Sequence, residues 1–235
     1  MTNLGLKYQI IFDKLMTRDV YEKQLALNDA FNLINDIEDE NKKNDIRMSL
    51  LGVLVDMGRD KEWKECLSHL QKSNIYQHQI CALFSIAQQY IKQKEDLKDV
   101  LATYLKILDL TRLHDDAQKQ SEACLEIAKI NISTSNFADS IEYLNQSISC
   151  ATKIHNFNMI ATATYYTALS MYNMGYRNIA MEKLRDASNI AREQRNPNII
   201  KHTEIVRAKM LMDNGNFEIA QKTIDLWYNE FAMML

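Results

Sequence analysis

The chain has 235 residues, of which 46% are apolar and 25% are charged, so its composition is that of a folded globular protein. It contains one proline and five glycines, against the roughly 12 and about 16 that average usage gives, which excludes a β-sandwich or barrel with many tight turns. The net charge of −3 argues against a general nucleic-acid binder, which would carry a basic patch.

The sequence gives no sign of a membrane or secretory protein. It contains no run of 18 apolar residues, and its first residues lack a basic start followed by an apolar stretch and a cleavage site. The four cysteines form no C-x-x-C pair, so they are expected to be free thiols in a reducing compartment. We therefore expect a cytoplasmic protein that binds neither membranes nor nucleic acids.

Apolar residues recur at spacings of three and four along the chain, which is typical of amphipathic helices. The predicted helices cover residues 6–16, 19–38, 41–57, 60–74, 77–94, 95–114, 117–134, 136–155, 157–174, 176–195, 197–213 and 216–233. Pro197 after Asn196 indicates a helix start, and Gly58, Gly175 and Gly215 follow predicted helix ends, where a left-handed residue is favourable.

The sequence also repeats itself at a spacing of 40 residues. Ala128, Ala168 and Ala208 fall in register, as do Leu144, Leu184 and Ile224, and a large aromatic opens the second half of each unit. Each unit is predicted to form two helices, and because one such hairpin cannot bury its apolar face alone, the units must stack.

The predicted fold class is therefore all-α, a right-handed α-solenoid of stacked antiparallel helix pairs. We expect a single domain over 1–235, with N-terminal helices in 1–40, looser repeats in 41–114 and three regular 40-residue repeats in 117–233.

Residues 41–233 resemble the tetratricopeptide repeat (TPR) family, in a long-repeat variant. The resemblance rests on Leu51-Gly52, on the segment from Ser135 to Ser140 and on the segment from Asn214 to Ala220. The sequence departs from the family pattern in its spacing of 40 rather than 34 and in having Cys124, Thr164 and Glu204 where the pattern has tryptophan. The proline that usually ends a repeat is present only at Pro197.

No motif for catalysis, metal binding or a cofactor is present. The five histidines lack metal-site spacing, and there is no phosphate loop or nucleophile elbow. We therefore expect a non-enzymatic module without metal or cofactor that binds a protein or peptide partner as an adaptor or chaperone. A peptide-sensing regulatory domain and an assembly subunit are the alternatives, and an enzyme built on an α-solenoid is a further, less favoured one.

In the TPR family the first helix of each pair lines the concave face, which implies a partner-binding groove on the matching residues here. These are Gln89, Leu125, Lys129, Ile132, Tyr165, Leu169, Tyr172, Ile205, Lys209 and Met212. They combine apolar side chains with lysines, which suits a partner with hydrophobic groups and a few carboxylates. The alternative is that these side chains pack between neighbouring helices and leave no open groove.

Two further regions are candidates for contact surfaces. Methionines and tyrosines are concentrated between residues 159 and 181, where they either fill the core or form an adaptable contact surface. In the last helix, Phe217, Ala220, Ile224, Trp227 and Phe231 form one apolar stripe that the preceding helix could cover. Other apolar residues lie outside it and predict a homodimer through this helix: Leu226, Tyr228, Met233, Met234 and Leu235.

Overall fold

The computed structural model describes residues 3–234, and the side chains of residues 5–228. Within that range it has twelve α-helices and no strand: α1 (Asn3–Leu15), α2 (Val20–Asp36), α3 (Glu40–Asp56), α4 (Asp60–Lys72), α5 (Tyr76–Gln93), α6 (Leu97–Leu113), α7 (Ala117–Ser133), α8 (Phe137–Lys153), α9 (Phe157–Asn173), α10 (Arg177–Glu193), α11 (Pro197–Asp213) and α12 (Phe217–Met234). The predicted helices are confirmed, and no helix in this range is long and apolar enough to cross a membrane.

The chain divides into two compact units, the first ending at Asp96 and the second beginning at Leu97. In the first unit, α1 packs against α2, α3 packs against α4, and α5 packs against both α3 and α4. Its core is built on large aliphatic side chains, with Leu27, Leu50, Leu54 and Leu70 fully buried.

In the second unit, every helix begins 20 residues after the previous one, from Leu97 to Phe217. Consecutive helices pack as antiparallel neighbours, and among the first helices of the pairs α9 also contacts both α7 and α11. The repeat is therefore regular from α6 onward, one helix earlier than the sequence pattern indicates.

Each turn of the second unit is closed by the same backbone device. The residue two positions after the helix has a left-handed conformation, as at Ser135 with φ of 62° and Gly175 with φ of 89°. The next residue then donates its N–H back to the last helical turn, as Asn136 does to the carbonyl of Asn131 at 2.7 Å. This is the Schellman arrangement, which satisfies carbonyls that the helix end leaves unpaired.

Small residues occupy the helix contacts of the second unit. Ala128 and Ala168 are fully buried, and Ala208 is 1% exposed, so the three alanines that fall in register in the sequence all lie at helix contacts. Between α8 and α9, the hydroxyl of Ser140 lies 2.7 Å from that of Ser170. Because these side chains are short, the helix backbones can approach closely.

Candidate functional site

The predicted groove residues fall on both units. Gln89 lies on α5 of the first unit, and the other nine lie on α7, α9 and α11 of the second. We use the name first-helix face for eight residues of the second unit: Lys129, Ile132, Tyr165, Leu169, Tyr172, Ile205, Lys209 and Met212.

The first-helix face is an apolar surface that remains partly open to solvent. The α7 and α9 side chains are half-buried, whereas Ile205 is 47% exposed, Met212 is 43% exposed and Lys209 is also exposed. Leu125 differs from the rest, because it is 5% exposed and packs with Ala128 in the core of the unit. We therefore assign Leu125 to the core rather than to the surface.

Aromatic rings form the middle of the first-helix face. The ring of Tyr165 meets that of Tyr166 edge-on, with centroids 5.1 Å apart, and stacks on His202 at 6.1 Å. Burial raises the pKa of the Tyr165 hydroxyl above its ordinary value. Residues of α9 and α11 thus hold the Tyr165 ring in place, and the rest of the ring faces outward. A ring that is already fixed can bind a partner with little loss of conformational entropy.

One of the two lysines of this face is already paired. The ammonium of Lys129 lies 2.6 Å from the Glu126 carboxylate and 5.4 Å from the centroid of the Tyr166 ring. Lys209 is exposed on α11. Sequence reasoning missed the pairing, although the i, i+3 spacing of Glu126 and Lys129 was a signal for it.

A second carboxylate lies beside Tyr172. The Tyr172 hydroxyl donates a hydrogen bond to the carboxylate of Asp213, which links α9 to the end of α11 and raises the pKa of that hydroxyl. The side chain of Arg177 binds Asn214 in the same region, at 2.7 Å. This edge of the face is therefore polar, while Ile132, Tyr165 and Leu169 make its centre apolar.

The methionines and tyrosines between residues 159 and 181 lie partly in the core and partly on the surface. Met171 and Met181 pack against the buried core around Ala168 and Leu184, yet both remain half-buried. Met174 is 40% exposed and Tyr176 is 52% exposed. These flexible and bulky side chains thus cover the core and also contribute to the surface.

The α12 surface differs in part from the expected arrangement. Ala220 is 1% exposed, but Phe217 is 67% exposed and Ile224 is 37% exposed, so the preceding helix does not cover the whole stripe. Of the predicted self-association residues, Leu226 is 64% exposed and Tyr228 is 66% exposed. The side chains of Phe231, Met233 and Met234, together with Leu235, lie outside the described part of the structure.

In the first unit, an open cleft of about 430 Å³ lies between α3 and α5. We call it the α3–α5 cleft, and it is lined by Met48, Leu51, Gly52, Val55, Asp56, Cys81, Phe84, Ser85, Gln88, Gln89 and Lys92. Three of these, Ser85, Gln89 and Lys92, occupy the positions on α5 that correspond to the first-helix face. The predicted register therefore places a concave surface on the first unit as well.

A serine–histidine–aspartate chain also lies in the first unit, and sequence reasoning missed it. His78 is 1% exposed, with Nδ1 2.8 Å from the Ser73 hydroxyl and Nε2 2.9 Å from the Asp45 carboxylate. The Ser73 oxygen also accepts the backbone N–H of Ile75 at 3.2 Å, next to the first turn of α5. Because this hydroxyl is buried and already engaged, the arrangement ties α3 to α5 rather than presenting a nucleophile.

Metal binding has no evident site in the described part of the chain, since no group of three His, Cys, Asp or Glu side chains is arranged to hold an ion. Cys66, Cys124 and Cys150 are buried and Cys81 is half-buried, and none of the four forms a disulfide within the described residues. Burial raises the pKa of Cys66 to about 11 and that of Cys124 to about 12, so both are poor nucleophiles near neutral pH.

No family model matches the sequence, and no curated sequence is significantly similar to it. Solved structures do match in fold. Aspartyl phosphate phosphatase F from Bacillus subtilis is 12% identical, with a TM-score of 0.72 over 96% of this chain and 70% of that one. Kinesin light chain TPR-like repeats from Podosopora anserina are 13% identical, with a TM-score of 0.62 over 84% of this chain and 98% of that one.

A third similar structure is a Rap protein in complex with competence and sporulation factor. It is 12% identical, with a TM-score of 0.65 over 98% of this chain and 66% of that one. At these identities the similarity concerns the fold. The helices packed as consecutive antiparallel neighbours and the TPR-like structural neighbours confirm the predicted class: this chain has an all-α, TPR-like repeat fold.

Proposed function

We propose that this protein is a non-enzymatic interaction module that binds a protein or peptide segment on its first-helix face. The observation that carries the proposal is the row of Ile132, Tyr165 and Leu169, apolar side chains from successive helix pairs that stay partly exposed at fixed positions. Contiguous apolar surface with a polar rim is typical of sites that bind other proteins.

The chemistry of this face favours a mainly apolar ligand with limited negative charge. Tyr165 and Leu169 offer contact area, whereas Lys129 is neutralised by Glu126 and leaves Lys209 as the exposed cation of the set. An amphipathic helix or an extended tail with one or two carboxylates would fit this surface. A structural neighbour is a Rap protein in complex with competence and sporulation factor, and this supports a peptide ligand by analogy of fold.

The exposed apolar side chains of α12 support a second candidate function, that of a subunit in an assembly. Phe217, Leu226 and Tyr228 are each more than 60% exposed on α12, and exposed apolar side chains grouped on one element are typical of contact sites. A partner that covers α12 would leave the first-helix face free, so the two candidates can be separated by substitution.

The test compares two double variants of equal charge change. Lys129→Glu with Lys209→Glu alters the first-helix face, and Lys106→Glu with Lys153→Glu alters exposed lysines on the second helices α6 and α8. Both variants should keep the circular dichroism spectrum of the native chain. Immobilised native chain, face variant and control are then incubated with lysate at low salt, and bound proteins are quantified by mass spectrometry.

We expect the face variant to retain at least tenfold less of the main ligand than the native chain and the control do. The reason is that Lys129→Glu places a second carboxylate beside Glu126, and the two repel carboxylates of the ligand. Equal retention by the face variant would contradict the proposal and favour α12 as the binding surface.

A further inference from the structure

A polar cavity lies in the first unit, between the start of α3 and the end of α4. We call it the α3–α4 cavity. Its volume is about 520 Å³, within the range of roughly 300–1,000 Å³ that is typical of ligand pockets. Apart from Ile75, every residue that lines it has a polar side chain, and it shares no lining residue with the α3–α5 cleft. A ligand of this cavity would therefore be polar.

Asn44 presents a hydrogen-bond donor to the α3–α4 cavity. It is 2% exposed and lines the cavity, and its Oδ1 accepts a hydrogen bond from the Arg47 guanidinium at 2.7 Å. Because a guanidinium can only donate, this contact fixes which end of the amide is the oxygen.

The Nδ2 of Asn44 is the end of the amide that a ligand can reach. It donates to no acceptor among the described residues. The one fully enclosed side-chain nitrogen or oxygen without a partner in those residues is Oε1 of Gln89, so the Nδ2 of Asn44 is accessible from the cavity. A buried amide held in this way is a fixed donor for a ligand oxygen, in the place that water would otherwise take.

Lys72 adds a positive charge to the same cavity. It lies in the last turn of α4, is exposed, and forms no ion pair with the described residues. An ammonium and an amide N–H group are suitable donors for the two oxygens of a carboxylate. Asn44 and Lys72 together therefore favour a ligand that carries a carboxylate.

Glu40 supplies the opposite charge. Its Oε1 accepts a hydrogen bond from Arg47 at 2.5 Å, which lowers the pKa of the Glu40 carboxyl and keeps it ionised near neutral pH. The Nδ1 of His69 lies 3.4 Å from the same oxygen. The Oε2 of Glu40 accepts no hydrogen bond from the described residues, and Lys43 lies 4.0 Å from it. This second oxygen is available to accept a hydrogen bond from a ligand ammonium.

Glu40 and Lys72 thus line one cavity without forming an ion pair with each other. A dianionic phosphate would require an excess of cationic groups, which this lining lacks. A neutral sugar would leave both charges without a partner. A small zwitterion matches both, since its carboxylate suits Asn44 and Lys72 while its ammonium suits Glu40.

We propose that the α3–α4 cavity binds a free amino acid, whose carboxylate accepts hydrogen bonds from Asn44 and Lys72 and whose α-ammonium donates to Glu40. This ligand differs from the partner of the first-helix face, because an internal segment of a protein has neither of these two groups. The proposal does not depend on that face, which lies in the second unit.

The full-length chain is screened against each standard free amino acid at about 10 mM and constant ionic strength by thermal unfolding, because a ligand that binds only the folded state raises its thermal midpoint. Those that raise it are titrated by calorimetry. We expect dissociation constants on the order of 1 mM, since the contacts are few and mainly polar. For each amino acid that binds, the N-acetylated form and the C-terminal amide should each bind roughly tenfold more weakly, because each lacks one of the two charges.

Glu40→Gln tests the ammonium contact, with Glu65→Gln as its control at an exposed position of α4 outside the cavity. Glu40→Gln keeps an oxygen for Arg47, so the chain should fold, yet it should bind the free amino acid roughly tenfold more weakly. N-acetylation of the ligand should then make little further difference. Glu65→Gln should retain both the native affinity and the native preference for the free amino acid.

Asn44→Asp and Lys72→Met test the carboxylate contact. Asn44→Asp keeps an acceptor for Arg47 but replaces the donor by a repelling oxygen, and Lys72→Met removes the cation; each should weaken binding roughly tenfold or more. The matched controls Asn35→Asp on α2 and Lys61→Met on α4, both at exposed positions outside the cavity, should bind as the native chain does.

The proposal would be overturned if no amino acid raised the thermal midpoint. Equal binding of free and N-acetylated amino acids to the native chain would also overturn it, because the site would then recognise a carboxylate alone. Native affinity in a folded Glu40→Gln or Lys72→Met variant would have the same consequence. None of these results would affect the first-helix face, which is tested by its own lysine variants.

Discussion

Alanine side chains at the helix contacts set how closely the helices of the second unit approach one another. Ala168 is fully buried and packs with Ala180, Leu184 and Met210. Protein interiors are packed to near crystal density, so there is no room for three additional carbon atoms at this point. The repeat register identified these alanines because a small residue is required at each equivalent contact.

We expect Ala168→Leu to lower the free energy of unfolding by about 1–3 kcal/mol through overpacking. Ala138→Leu, at an exposed position of α8, should change it by less than about 0.5 kcal/mol. Urea unfolding followed by circular dichroism measures both values. Equal stability of the two variants would show that Ala168 is not at a tight helix contact.

The burial of the Glu204 carboxylate could not be predicted from the sequence. It is 3% exposed at a position where the TPR pattern has tryptophan, and its carboxylate accepts hydrogen bonds from Ser188 at 2.8 Å and Arg192 at 3.1 Å. Arg207 adds a third contact at 3.2 Å. Two of these partners lie on the preceding helix, so only the three-dimensional packing shows that the buried charge is compensated.

The helices themselves could be predicted closely, because apolar periodicity and glycine positions depend on local sequence. The left-handed turn residues without glycine could not, since Ser135 and Arg195 are residue types that rarely adopt a positive φ. In each of these turns the next helix begins two residues after the left-handed residue. Gly175 and Gly215 occupy the same position without strain.

Arg195 and Gly175 provide a paired prediction about these turns. Arg195 is exposed with φ of 52°, so Arg195→Gly should raise the free energy of unfolding by about 0.5–1 kcal/mol by relieving left-handed strain. Gly175→Ala should lower it by about 1 kcal/mol, because its φ is 89° while the space around it is open. Thermal unfolding of the two variants measures the sign of each change in stability. A loss of stability in Arg195→Gly would contradict the inference that Arg195 is strained by its left-handed conformation.

At the level of the whole molecule, the division at Asp96 and Leu97 was not visible in the sequence. The repeat pattern indicated one solenoid over 1–235, and that organisation stays a prediction, because the structure is described as two units. The regular step of 20 residues nevertheless begins with α6, at the start of the second unit. The first unit has helices of uneven length, from 13 to 18 residues, which is why its repeats align poorly.

Candidate sites were harder to predict than the fold, for a physical reason. The spacing along each first helix identified which residues share a face. All eight residues of the first-helix face are half-buried or exposed. Whether a side chain reaches the surface depends on its neighbours, however, and Leu125 is buried by Leu144 and Ala163. The α3–α5 cleft likewise depends on residues from two helices that are about 30 positions apart in sequence.

The exposed α12 surface leads to a prediction about self-association. Phe217 and Tyr228 on one side of α12, and Leu226 on the other, expose apolar side chains that water solvates poorly, and a second copy of the chain would offer the same side chains in return. One helix covers less area than the roughly 1,200–2,000 Å² of a standard stable interface, so the dimer should be weak, with a dissociation constant on the order of tens of micromolar.

Sedimentation equilibrium at increasing concentration should therefore show a rising mean mass for the native chain. Leu226→Glu with Tyr228→Ser should remain monomeric, because it removes an exposed apolar side chain from each side of α12 and a carboxylate at position 226 would be desolvated without a partner. Leu113→Glu, at a leucine that is 79% exposed on α6, should associate as the native chain does. A monomeric native chain at several hundred micromolar would exclude the homodimer and leave α12 available to a different protein.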